Sequence, residues 1–337
     1  MGIWGRMGRA LGGAPPETYP VPQRPPSAAA APSAATPPPL AADRVLAGHT
    51  DIVTDLAFTP DGTLATCSLD GTVRLWDAGG GSRVLTCDAD LLVALAIRPG
   101  DGAVVAQGFR DDQGLLQLWD TATGEPRLTV TGMGVEAEAL AVSPDGTAVA
   151  LSALTDTILV WDLATGLPAP AYTAARTELS GVAFSPDGSL LAAVGTTNHR
   201  RDDPAVQIWD GPSRRLLRRL GEDTCSSATV AFSADGRLLA VEGRNGSALL
   251  LGTATGATVH EVGNEVMNLA LTPDCRTLAT VGIDGTVLLW DVDTERVVRQ
   301  LTGQSDDAEQ VAISPDGRTV AVADGTTAVI WRIDPPH

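Results

Sequence analysis

His49, Ser68 and Asp70 are the residue types of a base, a nucleophile and an orienting acid, and they lie close together in the chain. A hydrolase built on them would need an exposed serine within hydrogen-bond reach of the imidazole. Ser68, however, sits in a run that alternates like a strand, where its side chain is expected to be buried. The remaining histidines, His199, His260 and His337, are isolated, without the H-x-x-x-H spacing of a metal site. Cys67, Cys87, Cys225 and Cys275 are scattered with no C-x-x-C pair, which suits small buried side chains in a reducing cytosol. No G-x-S-x-G, P-loop or dinucleotide motif occurs. The sequence therefore predicts no catalytic residue, no metal and no cofactor.

The acidic residues carry more information. Eight or nine residues before a recurring turn stand Asp51, Asp90, Glu136, Glu178, Glu265, and Asp306 with Asp307. One further copy has Glu222 and Asp223 slightly earlier. Like charges gathered on one rim repel each other and concentrate cations or a basic segment there. The formal charge is −18, and all 23 basic residues are Arg. That balance disfavours a non-specific grip on nucleic acid or an anionic membrane. The absence of Lys points to a GC-rich bacterial genome, with Arg used by default.

The elements that position these acids repeat. Trp76, Trp119, Trp161, Trp209, Trp290 and Trp331, with Leu251 in the fifth copy, are spaced 43, 42, 48, 42, 39 and 41 residues apart. The turn recurs as Pro60-Asp61-Gly62, Pro99-Gly100-Asp101-Gly102, Pro144-Asp145-Gly146, Pro186-Asp187-Gly188, Ala234-Asp235-Gly236, Pro273-Asp274-Cys275 and Pro315-Asp316-Gly317. Proline pre-sets one corner, aspartate bonds the backbone beyond it, and glycine takes a positive φ cheaply. Ile52, Thr54, Leu56 and Phe58 alternate with Val53, Asp55 and Ala57, which is strand periodicity. Each copy reads as four short antiparallel strands, for example 63–68, 72–76 and 83–86 after the first. No such sheet buries both faces alone, so the copies must stack.

The unit VLAGHTDIVTDLAFTPDGTLATCSLDGTVRLWD, with its Gly48-His49 pair and closing Trp76-Asp77, resembles a WD40 repeat. The resemblance covers residues 44–337 and implies an all-β fold, a seven-bladed β-propeller of four-stranded antiparallel blades. It also implies that residues 44–48 supply the missing outer strand of the last blade and close the ring. In the family His49, Ser68, Asp70 and Trp76 form a buried structural tetrad, the indole donating to Ser68, whose hydroxyl reaches His49, which meets Asp70. Only the first copy keeps all four; the sixth has Gly282 at the serine position. Residues 1–43, rich in Pro and Ala, are expected to be a disordered tether.

The resemblance transfers no particular partner, since propellers host many roles. The expectation is a cytoplasmic, monomeric, non-catalytic interaction scaffold that binds a protein or peptide, basic in character, at its acidic top face. Stretches 108–114 and 195–204 read as longer loops on that face, the second adding Arg200 and Arg201 to the contact surface. Arg214, Arg215, Arg218 and Arg219 read as a solvated outer edge. The alternatives are a propeller enzyme, lyase or hydrolase, with a site over the central channel, and a detached sensor module of a larger signalling protein.

Overall fold

The computed structural model describes residues 38–133, 137–153, 155–173, 178–196, 206–220, 229–243, 246–263 and 265–333. Among these the chain forms seven antiparallel sheets and no helix. Blade one is made of Val53–Phe58, Leu64–Ser68, Thr72–Trp76 and Ser82–Thr86. Its first strand is innermost and contacts the inner strand of the next blade, Leu91–Ile97; such contacts continue as far as blade five, whose second strand Leu238–Glu242 meets the inner strand of blade six, and resume to Ala308–Ile313, which meets Val53–Phe58 again. The result is a closed seven-bladed β-propeller.

Stacking supplies the core. Seven buried apolar clusters each straddle one junction between neighbouring blades. Cys67, Val73 and Leu75 meet Leu92, Leu95 and Trp119 at one junction. Leu46, Val53 and Trp76 meet Ala321, Ala323 and Ala328 where the ring closes. Each large side chain so buried is worth about 1.5–3 kcal/mol, so a blade is stable chiefly because it has neighbours.

The turns between first and second strands repeat one hydrogen-bond pattern. A Ser or Thr two residues before the aspartate gives its hydroxyl to that carboxylate, as Ser143 does to Asp145 at 2.6 Å and Thr272 to Asp274 at 2.6 Å. The carboxylate also accepts the N–H two residues on. Cys275 fits this pattern without glycine: its φ is +60°, and its N–H meets the Thr272 carbonyl at 2.9 Å, as Gly62 meets Thr59. In blade two Arg98 replaces the hydroxyl and forms an ion pair with Asp101, which Arg127 also contacts.

Closure is as expected in kind. Arg44–Ala47 pairs antiparallel with Thr327–Arg332, the third strand of blade seven. The boundary of the expected tether shifts, because Leu40–Ala41 pairs parallel with Leu301–Thr302 as a fifth strand of blade six. Ala42 N–H then donates to Thr302 and Asp43 N–H to Ile330, so residues 40–43 belong to the fold. Residues 1–37 lie outside the described residues. The expected long loop at 108–114 is instead a lengthened hairpin: Val104–Arg110 and Gln113–Trp119 are joined through Asp111 and Asp112, both at positive φ. The stretch 197–205, with Arg200 and Arg201, lies outside the described residues.

Candidate interaction surface

In blades one, two, six and seven the loop that enters the inner strand lies against the turn between second and third strands of the preceding blade. The approach is close enough to demand glycine. A Cβ on Gly71 would stand 2.5 Å from the Ala89 carbonyl oxygen, one on Gly285 2.6 Å from that of Ser305, and one on Gly246 2.9 Å from the Glu265 nitrogen. These glycines take φ of +75°, as the turn requires. The entry loops and these turns therefore share one face, where sequence reasoning put the acids.

Asp51, Asp90, Glu265, Asp306 and Asp307 are all exposed there. Asp51 accepts the N–H of Ile52 at 2.8 Å, and Asp90 accepts that of Asp111 at 2.8 Å, so both carboxylates are oriented by backbone. Glu265 is held at φ +57°. Asp51, Asp90, Glu265 and Asp306 form no ion pair among the described residues. Arg110, at the end of Val104–Arg110, is shared between Asp88 at 3.3 Å and Asp111 at 4.0 Å. Glu178 opens the inner strand Glu178–Phe184 of blade four. Glu136, Arg200, Arg201, Glu222 and Asp223 lie outside the described residues.

Beneath this face His49, Asp70 and Trp76 are linked, but through a different hydroxyl from the one expected. Trp76 Nε1 donates to Thr66 Oγ1 at 2.9 Å, and Thr66 lies 2.8 Å from His49 Nε2. His49 Nδ1 lies 2.9 Å from Asp70 Oδ2. Since the Thr66 oxygen accepts from the indole, its own proton goes to Nε2, and Nδ1–H donates to Asp70. Ser68 stays outside: it gives its hydroxyl to the Asp51 carbonyl at 3.0 Å and accepts the Asp70 N–H at 3.1 Å. The reason is register. Leu64 pairs with Trp76, and the indole reaches diagonally to Thr66, two residues on along the same face. Blade six repeats the contact, Trp290 donating to Thr280 at 2.9 Å, although Gly282 stands at the Ser68 place.

The electrostatics suit a structural linkage. Burial pushes the His49 imidazole below its ordinary value, against the opposing pull of Asp70, so the ring is neutral at pH 7. Burial works against the Asp70 charge, but the Thr72 hydroxyl, the Thr50 N–H and His49 outweigh it and hold the pKa at about 2. Thr66 and Ser68 are both fully buried, so neither hydroxyl meets a substrate. Among the described residues no cluster of His, Cys, Asp and Glu is arranged to hold a metal.

Sequence reasoning also missed two polar links between neighbouring inner strands. Asp55 and Asn268 occupy the same bulge position of their inner strands. Asp55 accepts the N–H of Leu95 across the blade junction at 2.9 Å, and Asn268 accepts that of Val311 at 3.4 Å. Asn268 also donates to Thr229 and Gln310. Among the described residues Asp55 has no cation beside it, and burial raises its pKa to about 7. Of the basic run, Arg218 donates to the Thr253 carbonyl and Arg214 lies over the Tyr172 ring, so it is only partly the solvated edge expected.

Comparison with known proteins agrees with the fold. The WD domain, G-beta repeat, matches at residues 42–77, 170–210 and 256–291. The chain carries WD40 repeats. It is 32% identical over 124 residues to WD repeat-containing protein SL1-17 of Schistosoma mansoni, spanning 36% of this chain and 41% of that protein. It is 27% identical over 283 residues to Cell division cycle 20.1, cofactor of APC complex, of Arabidopsis thaliana, spanning 79% of this chain and 60% of that one. Small ribosomal subunit protein RACK1 of Brassica napus is 34% identical over 107 residues, 31% of each chain. The chain thus spans less than two thirds of each of these relatives, all of which are eukaryotic.

Proposed function

We propose that this WD40 propeller is a non-catalytic protein-interaction scaffold that receives a basic peptide segment on its acidic face. The observation that carries this reading is the recurrence of exposed carboxylates at one place in successive blades. Asp51, Asp90, Glu265 and Asp306 are spread around one face without an ion pair among the described residues. Oriented, unneutralised charge of one sign around a channel mouth steers and selects an oppositely charged partner. The relatives lend support: one is by name a cofactor of a complex and another a protein of the small ribosomal subunit, so both work within assemblies. A net charge of −18 supports a partner that is neither nucleic acid nor anionic membrane. A bacterial, cytoplasmic, monomeric protein is the setting that the Arg-only, acidic composition suits best. Arg200 and Arg201, outside the described residues, are proposed as further partner contacts.

The test is a pull-down from source-cell lysate, with the full chain against a variant carrying Asp51→Lys, Asp90→Lys, Glu265→Lys and Asp306→Lys. A partner lost by the variant while its melting profile is kept supports the acidic face. Equal capture by both chains moves the contact elsewhere on the propeller.

A further inference from the structure

Six tryptophans close third strands, and five of them donate their indole N–H within the molecule. Where the facing second-strand residue is Thr66 or Thr280, the indole donates to that hydroxyl. Where it is Ala106, Ala193 or Val322, the indole turns instead to the carbonyl that ends the preceding blade's outer strand. Trp119 thus donates to Thr86 at 3.4 Å, Trp209 to Thr173 at 3.3 Å and Trp331 to Thr302 at 3.0 Å. Trp161 of blade three faces Leu151, and the corresponding carbonyl belongs to Thr131. Trp161 is only 7% exposed and its N–H has no acceptor among the described residues, but it is not one of the polar atoms sealed from solvent, so it opens at the surface of the seam. An acceptor from outside can reach it there, where a hydroxyl or carbonyl of the chain serves the other indoles.

The same junction is open in two further respects. In each outer strand one residue pairs three positions before the tryptophan position and plugs the seam. Leu46, Leu85, Tyr172, Leu220, Val262 and Leu301 are all buried, whereas Val130 is only half-buried. Just beyond it, Gly132 has φ +71°, and a Cβ there would meet nothing within 4 Å. Its counterpart in blade six, Gly303, has φ +112°, and a Cβ there would stand 2.8 Å from Ala42 Cβ. The difference is the segment Leu40–Ala42, which lies parallel along Arg296–Thr302, packs Leu40 against the core and donates from Ala42 to Thr302.

The edges differ in their defences as well. An outer strand is a template for strand addition unless charge, proline or cover blunts it. Blade three has Pro168 and Pro170 in its outer strand, blade four Arg218 and Arg219, blade five Glu261, and blade six is covered by Leu40–Ala41. In blade two the stretch Thr129-Val130-Thr131 carries neither charge nor proline.

We propose that the seam between blades two and three binds an extended, uncharged peptide segment of a partner protein. The segment carries a branched apolar residue followed by two small ones and adds parallel to Pro126–Thr131, as Leu40–Ala42 adds to blade six. Its apolar side chain packs beside Val130 and Met133, its small residues pass Gly132, and one of its carbonyls accepts the Trp161 N–H. Backbone pairing gives such a site its affinity and the side-chain seat its selectivity. The site is separate from the acidic face, and it stands or falls independently of it.

The probe is the blocked peptide Pro-Pro-Pro-Leu-Ala-Ala, titrated into the full chain by calorimetry and followed at the Trp161 indole proton by NMR. Expected are one-to-one binding, a shifted Trp161 indole resonance, and affinity about 2- to 12-fold weaker in Trp161→Phe, the loss of one hydrogen bond. The surface double variant Thr129→Lys with Thr131→Lys, which leaves the core intact, should abolish binding with its melting temperature kept. The Asp51→Lys, Asp90→Lys, Glu265→Lys and Asp306→Lys chain should bind the peptide normally. No binding by the parent, or binding undiminished in both seam variants, overturns the proposal. Self-association of the parent that the double variant loses would assign the seam to a second copy and overturn the partner reading.

Discussion

The indole N–H of Trp76 ends on the hydroxyl of Thr66, 2.9 Å away, and not on Ser68 two residues further along the same strand. Thr66 therefore joins the outer tryptophan to His49 and through it to Asp70. Replacing Thr66 by the isosteric Val leaves the indole N–H and the imidazole Nε2 buried and unpaired. Each such group costs about 1–3 kcal/mol. Urea unfolding of Thr66→Val should show a loss of roughly 2–4 kcal/mol, against about 1 kcal/mol for Ser68→Ala, which only loosens a turn. A larger loss in Ser68→Ala than in Thr66→Val would contradict the assignment.

Three groups of blade one make stability depend on pH in opposite senses. His49 titrates lower when folded than its ordinary 6.5, and Asp70 is held at about 2. Their contributions are present above the unfolded values and are lost as pH falls, through the His49 range first and then toward 2. Asp55 is the reverse case, raised to about 7. Its contribution is present below the unfolded carboxylate value and lost as pH rises through 7. Asn268 shows that an amide serves the same junction without charge. Asp55→Asn should therefore raise stability at pH 8.5 by roughly 1–2 kcal/mol more than it does at pH 5. The check is a pair of thermal melts at the two pH values; a gain of equal size at both would remove Asp55 as the titrating group.

The repeat was legible because two signals of different origin share one period. The closing tryptophans report on stacking, and the Pro-Asp-Gly turns report on backbone geometry. Strand limits followed closely, since alternation in Ile52–Phe58 leaves little choice of register. The identity of the tetrad hydroxyl was not legible, because Thr66 and Ser68 lie on one face of one strand. Only the pairing of Leu64 with Trp76 selects between them. The hairpin at Asp111 and Asp112 was read as a loop because polar residues at a strand end look the same whether or not they pair. Asp55 escaped notice since a bulge, which alternation does not reveal, sets its carboxylate against the inner strand of the next blade. The unpartnered Trp161 was invisible for a related reason: its tryptophan is present like the others, and what is missing is an acceptor on another blade.

Ring closure rests on two links of unequal weight, and truncation separates them. Arg44–Ala47 pairs along four residues with Thr327–Ile330 and places Leu46 in the seam. Residues 40–43 add only a short parallel pairing, the Ala42 and Asp43 backbone bonds, and the contact of Asp43 with Arg332 N–H. Removing residues 1–37 should leave the melting temperature of the full chain unchanged. Removing 1–43 deletes the lighter link and uncovers the seam at Gly303, for a loss of about 1–2 kcal/mol, or a few degrees in a chain of this size. Removing 1–49 deletes the closing strand together with Leu46 and His49. It should give the largest drop and a broadened transition, because blades seven and one then present unpaired edges and an open apolar seam. Scanning calorimetry of the three truncations decides the order. Equal melting temperatures for the 1–37 and 1–49 deletions would mean that the stacked blades hold the ring closed without the strand exchange.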